Sequence, residues 1–492
     1  MTMMMTCALI QNHAATSRSR RRETLALLLA LPLVLLLAGC THTLTVQLGG
    51  AGSGSVSSSP AGISCGAGGT ACSDTTNDGT PFLLTATPSR GSVFAGWGGA
   101  CSGAAPTCFI DLTASFTAVA YFRTTQVSTG AYHTCALKMD GTVWCWGRNN
   151  EGELGRGTNS SFGADFPTQI VNLANVVQVA AGGYHTCAML AGGAVQCWGR
   201  NTEDQVGEFS DIADPITAPR PIRTTATVPG LSIAAGGYHS CEVMSDGTVM
   251  CWGANNAQQI TAGTFGQIAW ATPAAGVGGA VAATAGAYHS CALLSNGIVN
   301  CWGYNNDGES GISPGPFNVV PLSATQIDAS MGAGLQATTA QGGYHTCALL
   351  KSGGITCWGF NGHGELGTGN TFGPQPTGLP VGVMGLPGAA SAVASGGYHT
   401  CAIVSGSVLC WGADESAQLG RGTSGTDILS PGLVSPLLPT AVSVDAGGYH
   451  TCAVFSGSTD DVRCWGRNTE GQCARTSNNG HIDPVPSPMK SF

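Results

Sequence analysis

Seven times along this chain a histidine stands two residues before a cysteine, and a second cysteine follows nine, ten or twelve residues later. The histidines are His133, His185, His239, His289, His345, His399 and His450. Imidazole and thiolate at such spacing are the ligand types of a zinc site and the partners of a Cys–His nucleophile. Repetition argues against both. A reactive centre needs one convergent set of unlike groups, whereas a residue that builds a repeating unit recurs in every unit. The histidines are therefore expected to be structural, each ring hydrogen-bonded to backbone in its own or the next unit. The cysteine pairs are read as disulfides in preference to metal ligands. No paired carboxylates, phosphate-binding glycine loop or nucleophile elbow stands out beside the repeats. This reading assigns no catalytic residue, no metal and no cofactor.

The spacing within each pair identifies the element that carries it. In the first copy Cys135 to Lys138 is an arm of four residues, Met139 to Gly141 a turn, and Thr142 to Cys145 a second arm of four. The sixth copy, Cys401 to Cys410, shortens the turn to Ser405-Gly406, and the last, Cys452 to Cys464, lengthens it to Ser456–Asp460. The turn varies while the arms stay equal. Equal arms hold the two cysteines opposite each other across an antiparallel hairpin, within disulfide reach. A helix would rotate them apart. The same plan pairs Cys187 with Cys197, Cys241 with Cys251, Cys291 with Cys301, and Cys347 with Cys357. Alternation sets Cys135, Leu137, Val143 and Cys145 on one face and Trp144 and Trp146 on the other. Both faces are apolar, as sheets stacked on two neighbours require. Seven such sheets, one per roughly 50 residues, predict an all-β, seven-bladed β-propeller.

Each second cysteine opens a Cys-Trp-Gly triplet, giving Trp146, Trp198, Trp252, Trp302, Trp358, Trp411 and Trp465. These are expected in the core and not in a ligand cage. Trp270 lies in a variable linker and is the better surface candidate, since aromatic residues in such segments anchor interfaces. The variable linkers Asp204–Arg223, Thr261–Gly279, Ser313–Leu335 and Thr371–Ala389 are read as loops over the rim or one face. Cys473 has no partner in the repeat scheme.

Upstream, Arg18, Arg20, Arg21 and Arg22 precede an apolar run from Leu25 to Leu37, which ends in Leu37-Ala38-Gly39-Cys40. Basic, apolar and small-residue regions in that order form a secretory signal, too short to span a bilayer. Leu-Ala-Gly-Cys resembles the lipobox of bacterial lipoproteins. The resemblance implies cleavage before Cys40 and acylation of that cysteine, with residues 1–39 as signal peptide and 40–43 as anchor and linker. Thr41 at the next position implies sorting to the outer membrane or cell surface. Residues 44–123 then alternate short apolar runs with glycine clusters, which predicts a small antiparallel β-domain. Gly54-Ser55-Val56, Leu84-Thr85-Ala86-Thr87-Pro88, Phe94-Ala95-Gly96-Trp97 and Ala120-Tyr121-Phe122 resemble the internalin-type B-repeat of bacterial surface proteins. Cys65 with Cys72 and Cys101 with Cys108 would close short loops there, although four cysteines allow three connectivities.

Residues 124–492 carry the propeller repeats. Val-x-x-Val-Ala-Ala-Gly-Gly-Tyr-His-Thr-Cys-Ala, then Cys-Trp-Gly, then Asn-x-x-Gly-Glu-Leu-Gly, is similar to the regulator of chromosome condensation repeat. Arg148 to Gly155 and Phe360 to Gly367 keep the last part well, while Asn255 to Ile260 and Asn305 to Ser310 depart from it. The resemblance implies a seven-bladed propeller and a protein-binding platform. The cysteine pair in each repeat departs from the nuclear members and fits an oxidising compartment.

Charged residues are only 9% of the chain, its net charge is −9, and it has three lysines. With no basic block after the leader, counterion-displacing nucleic-acid binding is not expected. The expected partner is an extracellular or envelope protein or glycan, with membrane attachment through the lipid. The alternative is an extracellular polysaccharide lyase or hydrolase with its site at the propeller funnel. Each predicted staple closes only a small loop, so its stabilisation is about 2–3 kcal/mol. Reduction is expected to lower the melting temperature and raise protease sensitivity without opening the ring. Differential alkylation of protein from its native compartment should find the paired cysteines blocked.

Overall fold

The computed structural model describes residues 40–488, apart from 208–214, 223, 275, 313–324, 328–333, 340–342, 372–377, 435–437, 457–460 and 475–481. Residues 1–39, read above as a signal peptide, and His481 lie outside the described residues. Every regular element described is a strand.

The first nine strands form the N-terminal domain. They are β1 (Thr41–Gly49), β2 (Gly54–Ser59), β3 (Ser64–Gly66), β4 (Gly69–Ala71), β5 (Ser73–Asn77), β6 (Thr80–Pro88), β7 (Val93–Gly99), β8 (Thr107–Leu112) and β9 (Phe116–Arg123). The expectation of one small antiparallel sheet needs correcting. There are two sheets, ordered β5-β1-β9-β7 and β4-β3-β2-β6-β8, and β1 pairs with β9 in parallel. Leu44, Val46, Val56, Phe82, Leu84, Trp97 and Phe122 fill the space between them. Cys65–Cys72 and Cys101–Cys108 are both bonded.

Seven four-stranded sheets follow. Blade 1 runs from the axis outward as Gln126–Thr129, His133–Leu137, Val143–Asn149 and Ser160–Gln169. In each blade the second and third strands pair so that the cysteines face each other, as Cys135 faces Cys145. All seven such pairs are disulfides, with Cα atoms 4.0–4.1 Å apart. The glycine of each Cys-Trp-Gly has φ near +100°, as at Gly147, where a Cβ would also lie 2.7 Å from Tyr132 O. Only glycine fits that bend. The last strand, Ile482–Pro488, pairs inside blade 7 with Val462–Arg467. It adds no strand to the sheet of blade 1. Every blade is one contiguous stretch of chain, and the ring closes by side-by-side packing.

One relay joins each blade to the next. His133 Nε2 lies 2.9 Å from Thr186 Oγ1, and that hydroxyl lies 3.0 Å from Glu153 O. Trp198 Nε1 donates to the same carbonyl at 2.7 Å. The hydroxyl has one proton, which goes to the carbonyl, so it accepts from the imidazole N–H. The contact recurs from His185 to Ser240, His239 to Ser290, His289 to Thr346, His345 to Thr400 and His399 to Thr451. It closes the circle from His450 to Thr134 at 2.7 Å. The histidines thus bond to a side-chain hydroxyl of the next blade, and not to backbone as their repetition had suggested. The closing seam has a further clamp. Asp445 Oδ2 accepts from Thr129 N and Thr129 Oγ1, at 2.6 and 2.9 Å.

Cys473 also finds its place. It stands where the other copies of the loop carry Leu154, Val206, Ile260, Ser310, Leu366 and Leu419. Its amide donates to Asn468 Oδ1, as Leu154 N does to Asn149 Oδ1, and its buried thiol packs with Val127 and Trp146.

The N-terminal domain docks on blades 1 to 3. Gly50 N donates to Leu231 O, Ala51 N to Val177 O, Tyr121 Oη to Gly230 O and Arg123 Nε to Met139 O. Glu242 is buried at this junction, at a position that is alanine in the other six blades. Gly230 leaves room for it, since a Cβ there would lie 1.9 Å from Glu242 Oε1.

Burial holds the seven relay imidazoles neutral, with pKa values pushed down to about 3, or about 4 for His289. It acts oppositely on carboxyls, and most strongly on six. Glu153, Glu309 and Glu365 rise to about 7, Glu242 to about 8, and Asp414 and Asp445 to about 6. Below the unfolded histidine value of 6.5 only the unfolded chain takes up imidazole protons, so stability is lost as pH falls. The carboxyls stabilise most below their unfolded value, 4.5 for glutamate, and that contribution is lost progressively as pH rises from there to 6–8. The two sets nearly cancel between those limits. Below about pH 4.5 these six carboxyls are protonated in both states, and the histidine term dominates the change with pH. Thermal melts should therefore vary little from about pH 5 to 6.5 and fall steeply below about 4.5. Thr400→Val, which strands the His345 N–H and leaves a carbonyl with one donor fewer, should cost about 1–3 kcal/mol in denaturant unfolding.

Candidate binding site on the propeller axis

The turn between the first and second strands of each blade ends in the tyrosine that precedes the relay histidine. These are Tyr132, Tyr184, Tyr238, Tyr288, Tyr344, Tyr398 and Tyr449, all half-buried. They stand around the axis as a ring. Tyr132 lies 6.0 Å from Tyr184 and 6.1 Å from Tyr449, and Tyr238 stacks on Tyr288 at 5.3 Å. Six of them, with Ala131, Gly183, Gly237, Gly397 and Gly448, line a cup of about 160 Å³. Burial raises the phenol pKa of Tyr184, Tyr288, Tyr344, Tyr398 and Tyr449, so these rings remain neutral.

A second tier sits above the gaps between tyrosines. It is the residue after each Cys-Trp-Gly, in blade order Arg148, Arg200, Ala254, Tyr304, Phe360, Ala413 and Arg467. Arg148 lies over Tyr132 and Tyr184, with its guanidinium carbon 5.7 and 5.1 Å from the ring centres. Arg200 bridges Tyr184 and Tyr238 likewise, and Arg467 bridges Tyr449 and Tyr132. Arg148 also meets Glu151 and Glu153, and Arg200 meets Glu203 at 2.7 Å. On the other side Tyr304 wedges between Tyr288 and Tyr344, at 6.2 and 6.3 Å. Phe360 and His363 both pack edge-on to Tyr398. His363 Nδ1 lies 2.8 Å from Asp427 Oδ2.

Register fixes which end of the blades this is. His133 pairs with Gly147, so the tyrosine turn and Arg148 share one end, and the turn at Met139–Gly141 marks the other. The N-terminal domain holds Met139, and through Gln47 it also holds Ser245 in the corresponding turn of blade 3. It thus covers the end away from the tyrosines.

The residues singled out in the sequence take other places. The repeat tryptophans are buried, each donating to a loop carbonyl of the preceding blade, as Trp146 does to Gln472 O. Trp270 is on the outermost strand of blade 3, Gln267–Pro273, and is 51% exposed at the rim, away from the funnel. The variable linkers are not simple loops. Each contains its blade's outermost strand, such as Ile216–Pro221, and part of each falls outside the described residues. The third strand of each blade ends on the tyrosine side, as Asn149 does. His42 is 3.3 Å from Asp78 in the N-terminal domain. Cys40 immediately precedes β1. The tyrosine ring was missed because its residues repeat as faithfully as the structural histidines. The signal was the position after Cys-Trp-Gly, which changes in kind while the motif around it does not.

Residues 111–389 match the RCC1-like domain family, and residues 405–454 and 441–472 match the regulator of chromosome condensation repeat. The chain is 30% identical to the ultraviolet-B receptor UVR8 of Arabidopsis thaliana over 351 residues, 70% of this chain and 66% of that protein. It is 28% identical to the human E3 ubiquitin-protein ligase HERC2 over 68% of this chain but only 6% of that protein. Human WBSCR16 superposes with a TM-score of 0.63 at 19% identity, covering 71% of this chain and 95% of that one. Prp20p of Saccharomyces cerevisiae, whose structure was described with its binding to Gsp1p and histones, gives 0.58 at 23% identity over 66% and 80%. With the repeat, the ring of seven sheets and these matches in agreement, the chain belongs to the RCC1-like family of β-propellers.

Proposed function

We propose that this protein is an exported, lipid-anchored binding scaffold of the cell envelope, which presents the tyrosine-lined end of its propeller to a protein partner. The observation that carries the reading is the division of the two ends. The N-terminal domain, next to the anchor position at Cys40, covers the hairpin-turn end, so the tyrosine funnel and the loops around it point away from an attached membrane. Two acyl chains or more would hold such a domain stably. Similarity to propellers described with protein partners supports a protein over a glycan.

A polysaccharide-acting enzyme is the second reading. It draws on His363 and Asp427, unlike groups from blades 5 and 6 that meet beside Tyr398. Like residues dominate the rest of the funnel, and fold alone does not decide between the two roles.

Mass spectrometry of the mature protein should find Cys40 as an acylated first residue. In crosslinking on intact cells, a saturable protein partner should be captured and lost in Tyr398→Ala, with the melting temperature monitored in parallel. Turnover of an envelope polysaccharide abolished by His363→Ala would instead establish the enzyme.

A further inference from the structure

The funnel shows with its own side chains what its walls accept. On blades 7, 1 and 2 three guanidinium groups, Arg467, Arg148 and Arg200, each lie within 5.8 Å of two tyrosine ring centres. That is the separation at which the negative π face of an aromatic ring attracts a cation. On blades 3 to 6 the same position holds Ala254, Tyr304, Phe360 and Ala413. Arg200 reaches the edge of this arc at Tyr238, but Tyr288, Tyr344 and Tyr398 have no arginine of this tier over them.

Charge follows the same division. Arg148 and Arg200 are matched by Glu151 and Glu203, so that arc is locally balanced. The opposite arc carries Asp307 and Glu415, whose charges are felt by Tyr344 and Tyr398, and Asp427, bonded to His363. Arg421 on blade 6 is turned to the outer half of its sheet, where its guanidinium reaches Cys410 O on the third strand and Gly432 on the fourth. The floor adds carbonyl oxygens. A Cβ at Gly183 or Gly397 would lie 2.6 Å from Gly237 O or 2.5 Å from Gly448 O. Aromatic faces, carboxylates and carbonyls all favour a cation, and the cup of about 160 Å³ has room for one side chain.

We infer that the arc of blades 3 to 6 is a receptor for a guanidinium or ammonium group on a basic segment of the partner protein, completing a ring of cations of which this chain supplies three. The inference rests on the reading of the tyrosine end as the binding face.

The test is saturation-transfer NMR on the full chain in detergent. The probe is an acetylated, amidated glycine–arginine–glycine tripeptide, and the control replaces its arginine with glutamate. The arginine peptide should bind saturably and weaken about fivefold or more in Phe360→Leu and in Asp307→Asn, at unchanged melting temperature. Arg467→Ala should not weaken it. Binding of the arginine peptide that ignores Phe360→Leu and Asp307→Asn would overturn the inference. Preferential binding of the glutamate peptide, lost in Arg467→Ala, would also overturn it while leaving the funnel as the binding face. If neither peptide binds and funnel variants leave partner capture unchanged, both readings fall.

Discussion

The structure depends on a hydroxyl that is shared between blades. In each seam a threonine or serine accepts the imidazole N–H of the blade before it and passes its own proton to a carbonyl that a tryptophan also uses. All these groups are buried, so each unmade bond would leave a polar atom without water. The contact therefore sets the distance and angle of one blade to the next. Seven repetitions of one geometry bring the last blade against the first without a shared strand. Everything else on the axis follows from it, because the tyrosine that precedes each histidine is carried to the centre by the same turn.

Much of this was legible in the sequence. Equal arms around a variable turn require an antiparallel hairpin whatever the turn length, which is why the cysteine pairs and blade count can be read without coordinates. The partner of each histidine was not legible. Its acceptor is about 50 residues away, in a different hairpin, and periodicity within one repeat says nothing about the direction of the next. Cys473 was opaque for a related reason. Read as chemistry it is a stray thiol, but in the loop it is a small apolar residue at a leucine position, its amide held by Asn468. The two-layered N-terminal domain was half visible. Alternation identified the strands, but the parallel pairing of β1 with β9 joins segments from opposite ends of the domain.

The funnel shows how a repeat protein makes one site from identical units. The lower tier is seven-fold and carries no information about orientation. The upper tier breaks that symmetry with one residue per blade. Three arginines gather on adjacent blades, and the aromatic residues Tyr304 and Phe360 gather opposite them. A substitution at this position alters the face offered to a ligand without touching the buried relay below. Glu242 is the parallel case at the other end, where one blade departs from alanine beneath the docked domain.

Contiguous blades with internal staples also bear on biogenesis. The propeller cysteines bond across no more than twelve residues, and both partners always belong to the same hairpin. A chain emerging stepwise into an oxidising compartment can therefore form each propeller bridge as soon as its hairpin is out, in order, with no sulfur waiting for a distant mate. Docking the seventh blade on the first then relies on the Asp445 clamp and the final histidine contact, neither of which requires an oxidant.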